Sequence, residues 1–417
     1  MKTKVVFLWC LLLSTSLAYS QNLTYVKGII DTLTMPGFYG RGYVNNGNKI
    51  ASEFISKQLQ KNNIQKFDTS YFQRFNINVN TFPGKVELKI NDTDIKPGLD
   101  FIVSPDAQSM NKTYKTLVLN EKTLNSPKQI KKFNKTNLLN IALVIDTGFK
   151  DLKNPKIKKA PLVLFIRDHG LTWSVAQEQT ENKHDEIFIT RNAFPQEIKN
   201  VSVNIEAKQC YNYQTQNIAG YIPGIAFPDS FLVFTAHYDH LGMMGTKAYF
   251  PGANDNASGT AMVLDLASFY SMPANRSDYS VVFILFTGEE AGLLGSEYFT
   301  EHPLFPLKKI KFLLNLDMIG TGSDGIKVVN GSIFKKEFEK LKQLNEEGKY
   351  LKSINERGEA ANSDHYFFYK KGVKCFFIYT LGNEYKEYHN VNDKSQGLPL
   401  TKYPELFKLI TSFARSL

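Results

Sequence analysis

The sequence predicts an α/β fold, with a mixed, mostly parallel central sheet flanked by helices and interrupted by a smaller β-rich insert. Three observations carry this expectation. After Gln216, apolar runs at Phe231–Ala236, Val281–Thr287 and Phe312–Leu316 alternate with helical stretches such as Ser258–Tyr270 and Ile333–Leu344. Runs that are apolar throughout need cover on both faces of a sheet, and intervening helices supply it. Between about Val86 and Glu206 the texture changes to Lys, Asn and β-branched residues, with short strand candidates and no constellation of catalytic residue types.

Each element follows in order. In the first twenty residues, Lys2 and Lys4 precede the apolar run Val5 to Leu13, and small and polar residues lead to Ala18-Tyr19-Ser20 before Gln21. That order is the pattern of a cleaved signal peptide, residues 1–20. The run is too short to span a bilayer, and no later stretch is long enough. The expectation is therefore an exported chain, periplasmic or secreted, without stable membrane insertion. Ile50, Phe54, Ile55 and Leu59 recur at helical spacing, and Tyr71 to Val79 alternates as a strand does. Within the insert, Lys115–Leu119, Ile141–Ile145 and Leu162–Ile166 read as strands, and the chain closes on a helix from about Pro404 to Phe413. Residues 21–85 and 207–417 then form one α/β domain, with residues 86–206 inserted into it.

Composition narrows the function. At 42% hydrophobic and 13% aromatic over 417 residues, the chain can fill a sizeable core. The formal charge of +10 loses two with Lys2 and Lys4. The remaining lysines scatter, with one loose cluster from Lys128 to Lys159 and no arginine–aromatic interleaving, so a solvated face is expected rather than a nucleic-acid site. Loss of Cys10 with the leader leaves Cys210 and Cys375, which either pair or stand as free thiols. Neither belongs to a C-x-x-C pair, so thiolate zinc binding is not expected.

The chemistry lies where the strand candidates end. Phe231–Ala236 runs into His237-Tyr238-Asp239, Val281–Thr287 into Gly288-Glu289-Glu290, and Phe312–Leu316 into Asp317. Ligands in open α/β sheets bind beyond the carboxyl ends of the strands, so three strands deliver His or carboxylate to one edge. Asp255 lies in a turn before a helix, and His389 follows Tyr388 near the end of the chain. Taken singly, each has an ordinary explanation: a cap, a turn, a structural histidine or a solvated helix start. Together they form the His, Asp and Glu set that binds zinc without cysteine, large enough for two ions sharing a carboxylate.

Ala236-His237-Tyr238-Asp239, Asn254-Asp255-Asn256-Ala257-Ser258-Gly259, Gly288-Glu289-Glu290, Asn315-Leu316-Asp317-Met318 and Tyr388-His389 resemble a known family. This is the family of co-catalytic zinc peptidases that includes bacterial leucyl aminopeptidases, glutamate carboxypeptidase II and, more distantly, glutaminyl cyclases. Gly40-Arg41-Gly42-Tyr43 resembles its N-terminal segment, so the likeness covers roughly residues 25–80 and 210–417. The insert is loosely similar to a protease-associated domain. The resemblance implies two zinc ions per chain: His237 and Asp317 on one, Glu290 and His389 on the other, and Asp255 bridging. It implies that Asp239 accepts from the far ring nitrogen of His237, that a cis peptide follows Asp255, and that Glu289 is the general base.

Other positions carry two readings. Tyr388 either hydrogen-bonds the reacting carbonyl oxygen or packs beside His389. Asp364, in Ser363-Asp364-His365, either lines the substrate pocket or caps a helix. Asp393 either steadies the His389 loop or is exposed. His240 and His302 are expected at the surface and Ser258 as a helix cap, since no Gly-x-Ser-x-Gly elbow surrounds it.

The implied activity is an aminopeptidase acting on peptides with a free N-terminus. A carboxypeptidase of this fold would grip a terminal carboxylate with arginines, and of Arg41, Arg276, Arg357 and Arg415 only Arg357 falls near a site motif. A glutaminyl cyclase remains an alternative. A non-catalytic binding relative does too, although such relatives usually lose ligands or the base and this chain keeps both. Oligomeric state and residue preference stay open.

Overall fold

The computed structural model describes residues 22–120, 123, 125–146, 157–180 and 184–417. The predicted signal peptide, with Cys10, lies outside the described residues. In chain order the strands are β1 (Phe72–Thr81), β2 (Val86–Ile90), β3 (Thr93–Ile95), β4 (Phe101–Val103), β5 (Met110–Asn120) and β6 (Ile141–Asp146). Next come β7 (Leu162–Arg167), β8 (Asp185–Thr190), β9 (Asn200–Ile205), β10 (Lys208–Ile222), β11 (Phe227–His237) and β12 (Gly242–Met244). The last are β13 (Ala248–Phe250), β14 (Tyr279–Phe286), β15 (Ile310–Leu316), β16 (Gly325–Val329), β17 (Ile354–Arg357) and β18 (Cys375–Leu381).

One eight-stranded sheet has the order β1-β10-β14-β11-β15-β18-β16-β17. Its centre, β14-β11-β15-β18, is parallel throughout, while β1-β10, β10-β14 and β16-β18 are antiparallel. Side-chain alternation explains why the central strands are apolar at every position. Leu232, Phe234, Ala236, Val281, Phe283 and Leu285 enter one buried cluster, with the helices Leu23–Leu33, Gly259–Ser271 and Tyr403–Ser416. Val233, Val282, Ile284 and Phe286 enter another, with Phe299 and Phe368 from the helices Leu294–Glu301 and His365–Lys370. Burying both faces at once requires such sequences.

A second eight-stranded sheet, β3-β2-β9-β5-β6-β7-β8-β4, is drawn from residues 86–205. It leaves and rejoins the first sheet at adjacent points, because Thr81 at the end of β1 pairs with Lys208 at the start of β10. Its core is not closed on itself. Phe82, Leu241, Met244, Ala248 and Phe250 pack into the same cluster as Phe101, Trp173 and Ile187. Cys210 and Cys375 are free thiols. Among the described residues, no helix is long and apolar enough to cross a membrane.

Candidate metal centre

His237 is the last residue of β11, and Asp317, Glu289 and Glu290 follow β15 and β14, so parallel neighbours bring them to one sheet edge. Asp255 comes from the turn Ala253–Ser258, whose backbone is pinned on every side. Asp393 accepts from the Asn254 and Asp255 N–H groups at 2.9 and 3.1 Å and from the Tyr385 hydroxyl at 2.8 Å. Asn256 donates to Leu316 O at 3.0 Å and accepts from the Gly259 N–H at 2.9 Å, and the Asp255–Asn256 peptide is cis. Ser258 does not cap the helix: its hydroxyl donates to Asn254 O at 2.7 Å and accepts from the Ile319 N–H at 3.0 Å.

The two oxygens of Asp255 face different histidines. His237 Nε2 lies 3.3 Å from Asp255 Oδ1 and 3.4 Å from Asp317 Oδ1. His389 Nε2 lies 2.9 Å from Asp255 Oδ2 and 3.2 Å from Glu290 Oε2. Each imidazole spends its other nitrogen on a backbone carbonyl, His237 Nδ1 on Asp239 O at 3.2 Å and His389 Nδ1 on Trp173 O at 2.9 Å. A carbonyl can only accept, so both Nδ1 atoms carry a proton, and the Nε2 atoms are the ones turned towards the carboxylates. Glu289 Oε2 stands slightly farther off, 3.9 Å from His237 Nε2.

Three inward carboxylates and two inward imidazole Nε2 atoms are a donor set that fits divalent cations. Among the described residues no lysine or arginine ion-pairs with Asp255, Glu290 or Asp317. His237, Asp255 and Asp317 present ligand atoms within 4.8 Å of one another, a cradle of ordinary zinc donors. Arg41 is fully buried nearby but spends its guanidinium on the carbonyls of Tyr238, Leu33, Pro251, Gly252 and Asp255. Burial and the neighbouring carboxylates Glu290, Asp364 and Asp317 push Glu289 well above the usual carboxylate range, with His237 opposing. For Glu290 burial also acts upward, but His389 and the His240 hydrogen bond together outweigh it and hold the group at about 2.

Three further sequence expectations need correction. The Asp239 carboxylate is not the acceptor for His237, since its Oδ1 is 3.7 Å away and the backbone carbonyl takes that proton. It accepts instead from the Tyr43 hydroxyl at 3.1 Å and from the Glu289 and Glu290 N–H groups at 3.3 and 3.4 Å. Asp364 is fully buried behind the ligands, where burial raises its carboxyl to about 7, while Ala361 and Asn362 reach the cavity wall. Nor does its side chain cap the helix His365–Lys370. His240 is buried, not superficial, and donates from Nδ1 to Glu290 Oε1 at 2.7 Å. Of the two readings of Asp393, burial excludes the exposed one, and its carboxylate ties its own loop to the Asp255 turn. By contrast, His302 is exposed, as expected.

A cavity of about 460 Å³ opens over this cluster. His237, Asp255, Glu289, Glu290, Asp317 and His389 form its floor, with wall from Met318, Phe377 and Tyr379, and among the described residues no lysine or arginine lines it. Tyr388 lies at its edge, 43% exposed, its ring stacked on His389 at 3.9 Å between centroids.

Residues 217–414 match peptidase family M28. A probable leucine aminopeptidase of Arthroderma otae is 31% identical over 215 residues, 50% of this chain and 59% of that protein. Aminopeptidase YwaD of Bacillus subtilis is 40% identical over 121 residues, 28% of this chain and 24% of the relative. The matched region therefore spans less than two thirds of either relative. The crystal structure of BSAP, a zinc aminopeptidase from Bacillus subtilis, superposes with a TM-score of 0.70 at 21% identity over 95% of both chains, a likeness of fold.

Proposed function

We propose that this chain, whose residues 217–414 match peptidase family M28, is an exported two-zinc aminopeptidase that removes N-terminal residues from peptides. The observation that carries the two-metal reading is Asp255, whose two oxygens face the Nε2 atoms of His237 and His389 at 3.3 and 2.9 Å. His237 and Asp317 would hold one ion, Glu290 and His389 the other, and Asp255 both. When bound, such a pair supplies Lewis acidity, polarising the scissile carbonyl and lowering the pKa of water from 15.7 to about 7.

The chain's own residues do the rest. Glu289 lines the cavity beside the ligands and acts as general base, taking the proton of the attacking water and passing it to the leaving amine. Asp239 works from behind, anchoring the Glu289 and Glu290 backbone through their N–H groups. The Tyr388 hydroxyl, at the cavity edge, donates to the carbonyl oxygen as charge develops there. An acidic floor, with no lysine or arginine beside it among the described residues, favours a substrate ammonium over a terminal carboxylate, which supports aminopeptidase over carboxypeptidase. Met318, Phe377 and Tyr379 favour an apolar N-terminal side chain.

The test is a metal-replete assay with aminoacyl amides, C-terminal substrates and peptides with N-terminal glutamine. Expected are release of the N-terminal amino acid, loss of activity on chelation, and recovery with about two zinc ions per chain. Release from the C-terminus, or cyclisation of glutamine, would replace the aminopeptidase reading. Activity indifferent to thorough chelation would end the metal reading.

A further inference from the structure

One segment of the insert, Leu171 to Gln177 after β7, runs to the metal centre. The Trp173 N–H donates to His389 O at 2.8 Å, while His389 Nδ1 donates back to Trp173 O at 2.9 Å. This reciprocal pair fixes both the position of the His389 backbone and the direction of its ring. Trp173 is itself 5% exposed, with its indole N–H on Val103 O at 2.9 Å and its ring stacked on Phe250 at 4.8 Å. Val391, two residues after His389, packs into the same apolar cluster. It presses so closely on Gly98 that a Cβ there would lie 2.7 Å from Val391 Cγ1. Four residues past Trp173, Gln177 donates to Ala291 O at 2.8 Å, bracing the turn that carries Glu289 and Glu290.

The contacts are thus directed at two loops, those of His389 and of Glu289-Glu290, and both carry chemistry. We propose that the insert is a working part of the metal centre, in which Trp173 orients His389 and Gln177 braces the Glu289–Ala291 turn. The insert thereby sets how tightly the ion shared by Glu290 and His389 is held. Trp173 is a positioning residue, acting through its backbone and anchored by its side chain. The proposal rests on the two-zinc reading above.

The experiment uses the full chain with Trp173→Leu, which loses the indole hydrogen bond and the stack, and Trp173→Phe, which retains an aromatic ring. Zinc affinities are measured by competition with a chromophoric chelator. In Trp173→Leu one ion is expected at wild-type affinity and the other about 10–100-fold weaker, the usual loss for a disturbed outer partner. Trp173→Phe should recover most of it. Two unchanged affinities in folded Trp173→Leu would overturn the proposal, as would equal weakening of both ions, the mark of general destabilisation. If Trp173→Leu does not fold, the surface variant Gln177→Ala takes its place; selective weakening of one ion supports the proposal and unchanged affinities refute it. Hydrogen exchange of the metal-free protein separates this idea from the zinc reading. The segment around His389 should exchange about tenfold faster in Trp173→Leu, or in Gln177→Ala the segment around Ala291 should. That result supports the coupling even if the wild type binds no zinc, and unchanged exchange would refute it.

Discussion

Glu289 and Glu290 are adjacent carboxylates in opposite electrostatic settings. Burial and three nearby carboxylates push Glu289 up, whereas His389 draws Glu290 down to about 2 and His240 donates to it. Two titratable groups pushed apart in this way mark different roles, one proton carrier and one permanent anion. Glu289→Gln should therefore bind both zinc ions with near-normal affinity and lose roughly 10³-fold or more in kcat, because base and shuttle vanish together. Near-normal turnover in that variant would remove Glu289 from the mechanism. His240 was not legible at this scale. Its environment comes from Gly252, whose Cβ would sit 2.4 Å from the His240 ring, and from Glu290, fifty residues away.

At the scale of elements, the segment Pro36–Arg41 shows how a motif without chemistry can decide the site. Gly42 lets it lie against β12, since a Cβ there would come within 2.4 Å of Gly242 Cα. Gly40, at φ +60°, passes equally close to the Gly242 and Phe250 carbonyls. This approach buries Arg41 entirely and brings its guanidinium to five backbone carbonyls around the Asp255 turn. Burial lowers its pKa to about 10 against the pull of Asp255, Asp393 and Asp239, so it stays charged at neutral pH. Arg41→Leu strips those carbonyls of their donor and should destabilise the fold by roughly 3–5 kcal/mol. Urea unfolding would show this as a lower midpoint at unchanged slope. A wild-type midpoint would mean the carbonyls find other partners at no cost.

For the whole molecule, the proposed ligands come from loops separated by up to 152 residues in sequence, His237 to His389, so metal binding would be linked to folding. Zinc added to the stripped protein at about a hundred times its Kd should contribute about 2.7 kcal/mol per site and raise Tm by several degrees. An unchanged melting curve would mean that the inward donors hold no metal. The insert belongs in the same balance, because Phe82, Met244 and Phe250 share its apolar cluster and Trp173 meets His389.

The sequence by itself determined the architecture, because a strand buried on both faces must be apolar at every position. It also marked the residues that converge on the cavity floor, because strand ends and the loop motifs carry His237, Asp255, Glu289, Glu290, Asp317 and His389. Only the tertiary structure decided how those groups are held. Asp239 supports the Glu289-Glu290 backbone rather than the His237 ring, Asp364 lies behind the cavity wall, and His240, Asp393, Arg41 and Trp173 surround the site. These partnerships join residues distant along the chain through single hydrogen bonds, and no local pattern of polarity or spacing encodes a contact of that kind.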